Sequence, residues 1–137
     1  MTSNALLKRI AQAMCEGYAK TELMSGVTTL RAVGGIADLD TIIRDRIAAG
    51  QAVGPRILAS NMAVSVPGGH MAGSVAYAAT SKEEAVALVT KVAGEGVDLI
   101  KLMITGGVLD ATVKGEPGEL KMPACLLYTS PSPRDRG

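Results

Sequence analysis

Two stretches decide the fold of this chain: SGVTTLRAVGG at residues 25–35 and EGVDLIKLMITGG at residues 95–107. Each contains a glycine that can end a helix, then a β-branched or aliphatic run, then paired glycines. Short apolar runs bounded by glycine are typical of buried strands. Because helical patterns lie between the two stretches, we expect parallel strands joined by helical crossovers.

Three segments with helical periodicity surround these strands. Residues 5–24 predict an amphipathic helix, and residues from Asp38 or Asp40 to just before Gly50 predict a second one. A third helix starts at a capping box in which Ser81 and Glu84 each bond the other's backbone. Its buried stripe is predicted to comprise Ala85, Leu88, Val89 and Val92. Residues 56–60 (RILAS) predict another short strand, followed by a long Gly-rich loop.

The predicted fold class is α/β, as part of a (β/α)₈ TIM barrel. About three βα units are present, against the eight that close such a barrel. The paired glycines would lie at the carboxyl ends of the strands, which form the active face of a barrel. The alternative is an open doubly wound sheet, and its first Gly-rich phosphate turn has no counterpart in this sequence.

The composition excludes several classes of partner. The net charge is +1, with 14 basic and 13 acidic residues interleaved, so we expect no nucleic acid and no membrane as partner. No stretch is long and apolar enough to span a bilayer. The first residues show no leader pattern, so we expect a cytoplasmic location, although that absence carries no weight if the natural start lies upstream. A homo-oligomeric parent remains open.

The last residues differ in character from the rest. We expect residues 1–124 to form the partial barrel domain and residues 125–137 (CLLYTSPSPRDRG) to be foreign to it. Cys125 to Asp135 match the translation of a nucleotide string that resembles a transposase-based sequencing adapter. We therefore leave this tail out of the fold prediction.

Lys101 is the most informative residue of the sequence. Strand alternation places Leu99, Lys101, Met103 and Thr105 on one face and Ile100, Leu102 and Ile104 on the other. If the Ile/Leu face packs on helices, Lys101 points into the barrel. The residues alone leave three roles open: a paired structural lysine, a lysine that binds substrate phosphate or carboxylate, and a carbamylated lysine that bridges metals.

Other polar residues are weaker candidates. His70, the one histidine, lies in the Gly-rich loop and could contact substrate, but one histidine cannot make a metal site of the usual kind. Arg31 shares the inward face of its strand with Thr29 and could clamp a carboxylate or pair inside the barrel. Four further residues lie in a polar loop after the last strand and are expected to be solvated: Asp110, Lys114, Glu116 and Glu119.

Four ordered motifs resemble consecutive segments of the amidohydrolase superfamily, in its imidazolonepropionase-like and Xaa-Pro-dipeptidase-like branch. They are GVTTLRAVGG from Gly26, GPRILAS from Gly54, PGGH from Pro67 and VDLIKLMITGG from Val97, and the match covers most of residues 5–124. The resemblance implies a metal-dependent (β/α)₈ barrel that hydrolyses C–N bonds in small-molecule amides, cyclic amides or dipeptides.

The same resemblance implies roles for individual residues. Lys101 would be the carbamylated bridge between two divalent ions, usually zinc, and His70 would lie in the substrate pocket. Ala32 departs from the pattern, because many relatives have aspartate there. The His-x-His pair, two later histidines and a final aspartate of the family have no counterpart. We therefore expect this chain alone to be inactive and to bind no metal tightly, with two zinc ions held only by the intact enzyme.

Two other interpretations stay open at this stage. One is a different barrel enzyme that binds a phosphorylated substrate through Lys101 and Gly106-Gly107. The other is a non-catalytic αβ module. A His-x-His within a strand upstream of Met1 would select the hydrolase.

Overall fold

The computed structural model describes residues 4–107 and 118–127. Most of these residues belong to, or connect, four helices and four short strands. In chain order they are α1 (Ala5–Met24), β1 (Thr29–Arg31), α2 (Leu39–Ala48), β2 (Arg56–Leu58), β3 (Ala63–Ser65), β4 (Ala76–Ala78), α3 (Lys82–Gly94) and α4 (Ala124–Leu127). The three long helices and the strands at 29–31 and 56–58 lie where the sequence predicted them.

The strands form two parallel pairs. β1 pairs with β2, with Leu30 opposite Ile57, and β3 pairs with β4, with Val64 opposite Tyr77. Parallel pairing is the predicted arrangement, and α2 makes the crossover between β1 and β2. The prediction of one long loop after residue 60 was wrong, because β3 and β4 lie inside it. Strands of three residues are too short to give a periodic signal.

The segment predicted as a strand at 97–105 runs beside β3. The backbone N–H of Val64 donates to the Lys101 carbonyl (2.9 Å), and the N–H of Met103 donates to the Val64 carbonyl (2.9 Å). This is the slanted pattern of a parallel ladder. Leu102 is the residue paired with Val64. The segment is therefore extended and correctly placed, and a second bridge pairs Thr105 with Leu120 in the antiparallel sense.

The helix starts follow from their caps. The Asn4 side chain accepts from the N–H of Leu6 (3.0 Å) at the start of α1, and the Ser81 hydroxyl accepts from the N–H of Glu84 (3.1 Å) at the start of α3. The second half of the predicted capping box was wrong. The Glu84 carboxylate accepts instead from the N–H (2.7 Å) and hydroxyl (2.6 Å) of Thr80, which offers two donors.

Two apolar clusters hold the elements together. One joins α1 and α2 to the first strand pair around buried Ala19, Ile43, Ile57 and Ala59. The other joins α3 and α4 to β3. Its buried members are Val64, Val66, Ala79, Ala85, Val89, Met122 and Leu126, with Leu88, Ile100, Leu102 and Ile104 packed against them. The predicted stripe of α3 faces this cluster.

The predicted apolar face of α1 is not buried. The sequence places five large apolar side chains mostly on one face of this helix, and all of them except Leu23 are about half exposed or more: Leu6, Leu7, Ile10 and Met14. The helix instead packs on the strands through Cys15 and Ala19. Within the described residues nothing covers the larger side chains. Among the same residues, no helix has the length and hydrophobicity needed to cross a membrane.

Asn61 joins three parts of the chain. It is fully buried and has φ +54°, a left-handed conformation that asparagine tolerates better than most residues. Its Oδ1 accepts from the N–H of Thr41 (3.1 Å), and its Nδ2 donates to Thr41 Oγ1 (3.2 Å) and Glu95 Oε2 (2.9 Å). One side chain thus connects the end of β2 with α2 and the end of α3.

Two substitutions of Asn61 separate the contributions of its backbone conformation and of its side chain to the free energy of unfolding. Asn61→Gly keeps the positive φ but leaves the buried N–H of Thr41 without its acceptor, so we expect a loss of about 1–3 kcal/mol of unfolding free energy. Asn61→Ala should cost roughly 1 kcal/mol more, because alanine is strained at this φ. Urea denaturation followed by circular dichroism measures both. Equal stability of the two variants would contradict the backbone part of this account.

Candidate active site

Backbone pairing with β3 fixes which side chains of residues 97–107 pack against the cluster around α3 and which lie on the opposite side. Ile100, Leu102 and Ile104 pack against the cluster around α3. Side chains alternate along an extended chain, so Lys101, Met103 and Thr105 lie on the opposite side. There Lys101 borders a cavity of about 330 Å³, together with Val33, His70 and the segment 102–107. The predicted orientation of the Ile/Leu face is thus the observed one.

His70 reaches the same cavity because of the turn before it. The N–H of Gly69 donates to the Val66 carbonyl (2.8 Å), and the N–H of His70 donates to the Thr105 carbonyl (3.4 Å). A Cβ at Gly69 would collide with the Ser65 hydroxyl and the Val66 carbonyl, so only glycine fits this turn. The turn therefore places His70 beside the carboxyl end of the segment that carries Lys101.

The third wall of the cavity is Val33, at the end of the first strand region. The next residue, Gly34, has φ +101°, and a Cβ there would lie 3.1 Å from Met103 Cε. Its N–H donates to the Ser60 hydroxyl (2.8 Å), and the following N–H, of Gly35, donates to the Asn61 carbonyl (2.8 Å). Ser60 and Asn61 thus hold the turn that presents Val33.

The structure brings together two of the three predicted site residues. His70 and Lys101, 31 positions apart in the chain, share the cavity. Arg31 is exposed at the end of β1 and does not line it. Asp110, Lys114 and Glu116 fall outside the described residues, whereas Glu119 is exposed and paired with Lys121. Val33, Ser60 and Asn61 were missed as site residues. The signal that could have found Ser60 and Asn61 is a polar pair directly after a buried strand.

Asp40 lies behind the turn at Gly34 and Gly35. Its Oδ2 accepts from the N–H of Asn61 (3.1 Å). Burial raises the pKa of this carboxyl above its ordinary value, and the backbone hydrogen bonds from Asn61 and Ser60 offset only part of that effect. Burial also raises the pKa of the Cys15 thiol, with a smaller contribution from the charge of Asp40. Asp40 thus supports the turn at Gly34 and Gly35 from behind, through its hydrogen bond with the N–H of Asn61.

The described residues do not by themselves fit a metal centre. A usual protein site for zinc takes three or four nitrogen, sulfur or carboxylate ligands. Within residues 4–107 and 118–127, no three histidine, cysteine, aspartate or glutamate side chains are grouped so that they could hold a metal ion. In the cavity itself, His70 and Lys101 are the side chains that carry nitrogen atoms.

Solved structures resemble this chain, whereas no family model and no curated protein matches it. A protein from Bifidobacterium longum described as a candidate prolidase is 43% identical over 74% of this chain and 25% of its own length, with a TM-score of 0.66. A Xaa-Pro dipeptidase with bound methionine is 31% identical over 77% of this chain and 29% of its own length, with a TM-score of 0.61. The chain belongs to the amidohydrolase superfamily.

The similarity of the amidohydrolase fold extends to more distant proteins. Ochratoxinase from A. niger is 21% identical, with a TM-score of 0.72, over 86% of this chain and 32% of its own length. The chain thus spans about a quarter to a third of the solved structures it matches. The resemblance seen in the four sequence motifs is confirmed at the level of the superfamily.

The raised pKa of Asp40 gives a pH dependence with a defined sign. Folded Asp40 holds its proton more tightly than unfolded Asp40, so ionisation opposes folding as pH rises from about 3.9, the unfolded value. The gain in unfolding free energy produced by Asp40→Asn should therefore grow as pH rises through the folded pKa, then level off. Urea denaturation at a series of pH values measures this difference.

Asp98→Asn is the matched control with the opposite sign. The N–H of Ala59 and the guanidinium of Arg44 lower the pKa of Asp98, so its carboxylate stabilises the fold above the unfolded value of about 3.9 and loses that effect as pH falls. The same pH series should make Asp98→Asn increasingly destabilising as pH rises. A parallel trend for the two variants would exclude the burial effect at Asp40.

Proposed function

We propose that this chain is part of a (β/α)₈ barrel hydrolase that cleaves carbon–nitrogen bonds in small amides, cyclic amides or dipeptides. The observation that carries the proposal is the cavity shared by Lys101 and His70, which lies beside the paired glycines 106 and 107. The parallel strands and their helical crossover are consistent with a barrel segment. The similarity to a Xaa-Pro dipeptidase supports a dipeptide as one class of substrate.

In this proposal Lys101 acts as an anion rather than a cation. Its neutral amine adds carbon dioxide, forming an N–C bond and releasing a proton, and the resulting carbamate carries two oxygens that can serve as metal ligands. The divalent ions, proposed to be two zinc ions, would polarise the scissile carbonyl when bound. The described residues include no complete set of metal ligands, so in this proposal the described part of the chain supplies one ligand and one wall of the site.

His70 and Val33 would act on the substrate. His70 can donate or accept a hydrogen bond to a substrate carboxylate or amide, and Val33 offers an apolar contact across the same cavity. Arg31 is proposed as a more remote carboxylate-binding residue, because its exposed side chain lies on the strand that leads into Val33. Together these residues would orient the substrate, whereas proton transfer to the leaving nitrogen needs a group outside them.

A second candidate function rests on the same cavity. In that function Lys101 would bind the phosphate of a phosphorylated substrate through its positive charge. The N–H of Gly106 donates to the Glu119 carbonyl (2.9 Å) and is not available as a phosphate donor. The two functions require opposite charges on Lys101. Substitutions that preserve its positive charge therefore distinguish them.

Lys101→Arg in the full-length enzyme tests the charge of this residue. Arginine keeps a cation but cannot form the carbamate, so a C–N hydrolase should lose activity toward a Xaa-Pro dipeptide by about a thousandfold or more. Lys91→Arg, on the exposed side of α3, is the matched control and should leave kcat/KM unchanged. A phosphate-binding enzyme would tolerate Lys101→Arg much better. Full dipeptidase activity in that variant would overturn the carbamate proposal.

The ligand count gives a separate prediction for the 137-residue chain alone. With one candidate metal ligand and one neighbouring histidine, the chain should bind zinc no more tightly than micromolar. Equilibrium dialysis against zinc measures this affinity. Tighter stoichiometric binding, lost in Lys101→Arg and His70→Ala, would mean that the chain carries a complete site.

A further inference from the structure

Ser65 is a fully buried polar side chain to which the proposed hydrolase function gives no role. It is the last residue of β3, and none of its surface is exposed. Its backbone belongs to the second strand pair, and its carbonyl accepts from the N–H of Ala79 (2.8 Å). Residues of this chain alone bury the side chain, so its surroundings do not depend on what a longer protein adds.

The hydroxyl of Ser65 reaches the segment that carries Lys101. Its Oγ donates to the carbonyl of Met103 (3.3 Å), two residues beyond Lys101. The pairing with β3 already holds Lys101 itself, because the Lys101 carbonyl accepts from the N–H of Val64 (2.9 Å). The bond from Ser65 therefore acts on the part of the segment between Lys101 and Thr105.

The same hydroxyl lies against the turn that carries His70. A Cβ on Gly69 would collide with Ser65 Oγ, so the backbone of Gly69 packs directly on the hydroxyl. The N–H of His70 donates to the Thr105 carbonyl at 3.4 Å, which is long for a hydrogen bond and holds the turn weakly by itself. One hydroxyl thus bonds the first segment and packs on the second.

A hydroxyl between two backbones sets the gap between them. Movement of Ser65 Oγ away from Met103 would break their hydrogen bond, and Gly69 can approach only as far as its contact with Oγ allows. The two segments carry His70 and Lys101, which line one cavity. We propose that Ser65 is a positioning residue that sets the distance between His70 and Lys101. The inference rests on the proposed hydrolase function, in which His70 contacts the substrate.

Amide hydrogen exchange of the 137-residue chain tests the spacing without any enzyme activity. Ser65→Ala removes both the donor and the packing contact, so the N–H groups of Gly69 and His70 should exchange roughly three- to tenfold faster. The N–H groups of Val64 and Met103 belong to the pairing with β3 and should keep their wild-type rates. Equal acceleration of all four amides would mean that Ser65 only stabilises the fold, and unchanged turn amides would mean that it does not hold the turn. Either result would overturn the proposal.

Two matched variants separate the hydroxyl from stability. Ser65→Thr keeps the hydroxyl, so its turn amides should exchange at rates closer to wild type than those of Ser65→Ala, and rates as fast as in Ser65→Ala would contradict the proposal. Ile43 is also buried, in the cluster of α1 and α2. Ile43→Val should lower stability and leave the ratio of turn exchange to strand exchange as it is in the wild type.

If Ser65→Ala fails to fold, as judged by circular dichroism, the wild-type chain decides. The contact requires a nuclear Overhauser effect between the Ser65 Hβ protons and a Gly69 Hα proton. Its presence supports the proposal, and its absence from an assigned spectrum would exclude the contact.

The full-length enzyme tests the consequence for catalysis. Ser65→Ala should raise KM for a Xaa-Pro dipeptide roughly three- to tenfold, with kcat and metal content changed less than about twofold, because His70 shifts while the strand pairing keeps Lys101 in place. A variant that is merely less stable would instead lose kcat at unchanged KM. In a His70→Ala background, Ser65→Ala should raise KM no further, and an additive rise would refute a role through His70.

Failure of this inference and failure of the proposed function are distinguishable. A wild-type enzyme that cleaves no carbon–nitrogen bond contradicts the proposed function, while the exchange rates still decide whether Ser65 spaces the two segments. An active enzyme whose Ser65→Ala variant keeps the wild-type KM overturns the positioning role alone.

Discussion

The backbone hydrogen bonds of Val64 set the geometry on which the site depends. They fix the register of residues 101–103 against β3, and that register decides which side chains face α3 and which face the cavity. A shift of one residue would exchange the two sets, burying Lys101 against the helix and exposing Ile100 and Leu102. The apolar contacts of those two side chains with the cluster around α3 therefore hold Lys101 in place.

Much of this arrangement could be predicted from the sequence because it follows from periodicity. The three long helices have caps and apolar repeats, and the alternation in residues 97–105 gives the direction of Lys101. The strands β3 and β4 could not be found in this way, because strands of three residues are too short to show a periodic pattern. Their pairing comes from long-range contacts instead, such as the bond from the N–H of Ala63 to the Val75 carbonyl (3.1 Å).

The same limit applies to the site: the residues with reactive groups could be predicted from the sequence, whereas the side chains that support them could not. His70 and Lys101, which line one cavity, were identifiable from the sequence as candidate site residues, and the glycine turns indicated close approach. The support behind them was not identifiable, because it depends on side chains from separate elements that meet only in the fold. Asp40 was predicted as a helix start, yet its carboxylate also accepts from the N–H of Asn61 (3.1 Å). Likewise the sequence predicted the apolar face of α1 but not its exposure, which depends on the neighbouring molecules or segments.

Deamidation of the Asn61 side chain, although slow, would disrupt the contacts it makes in the interior. Its Nδ2 donates to Glu95 Oε2 (2.9 Å), and the carboxylate of Asp40 lies on its backbone side. Deamidation would replace that donor with a third carboxylate and turn an attractive contact into a repulsive one. The rigid left-handed backbone at this position should slow the cyclisation that precedes deamidation. Once the reaction had occurred, however, the damage would be irreversible and would spread to the turn that carries Val33.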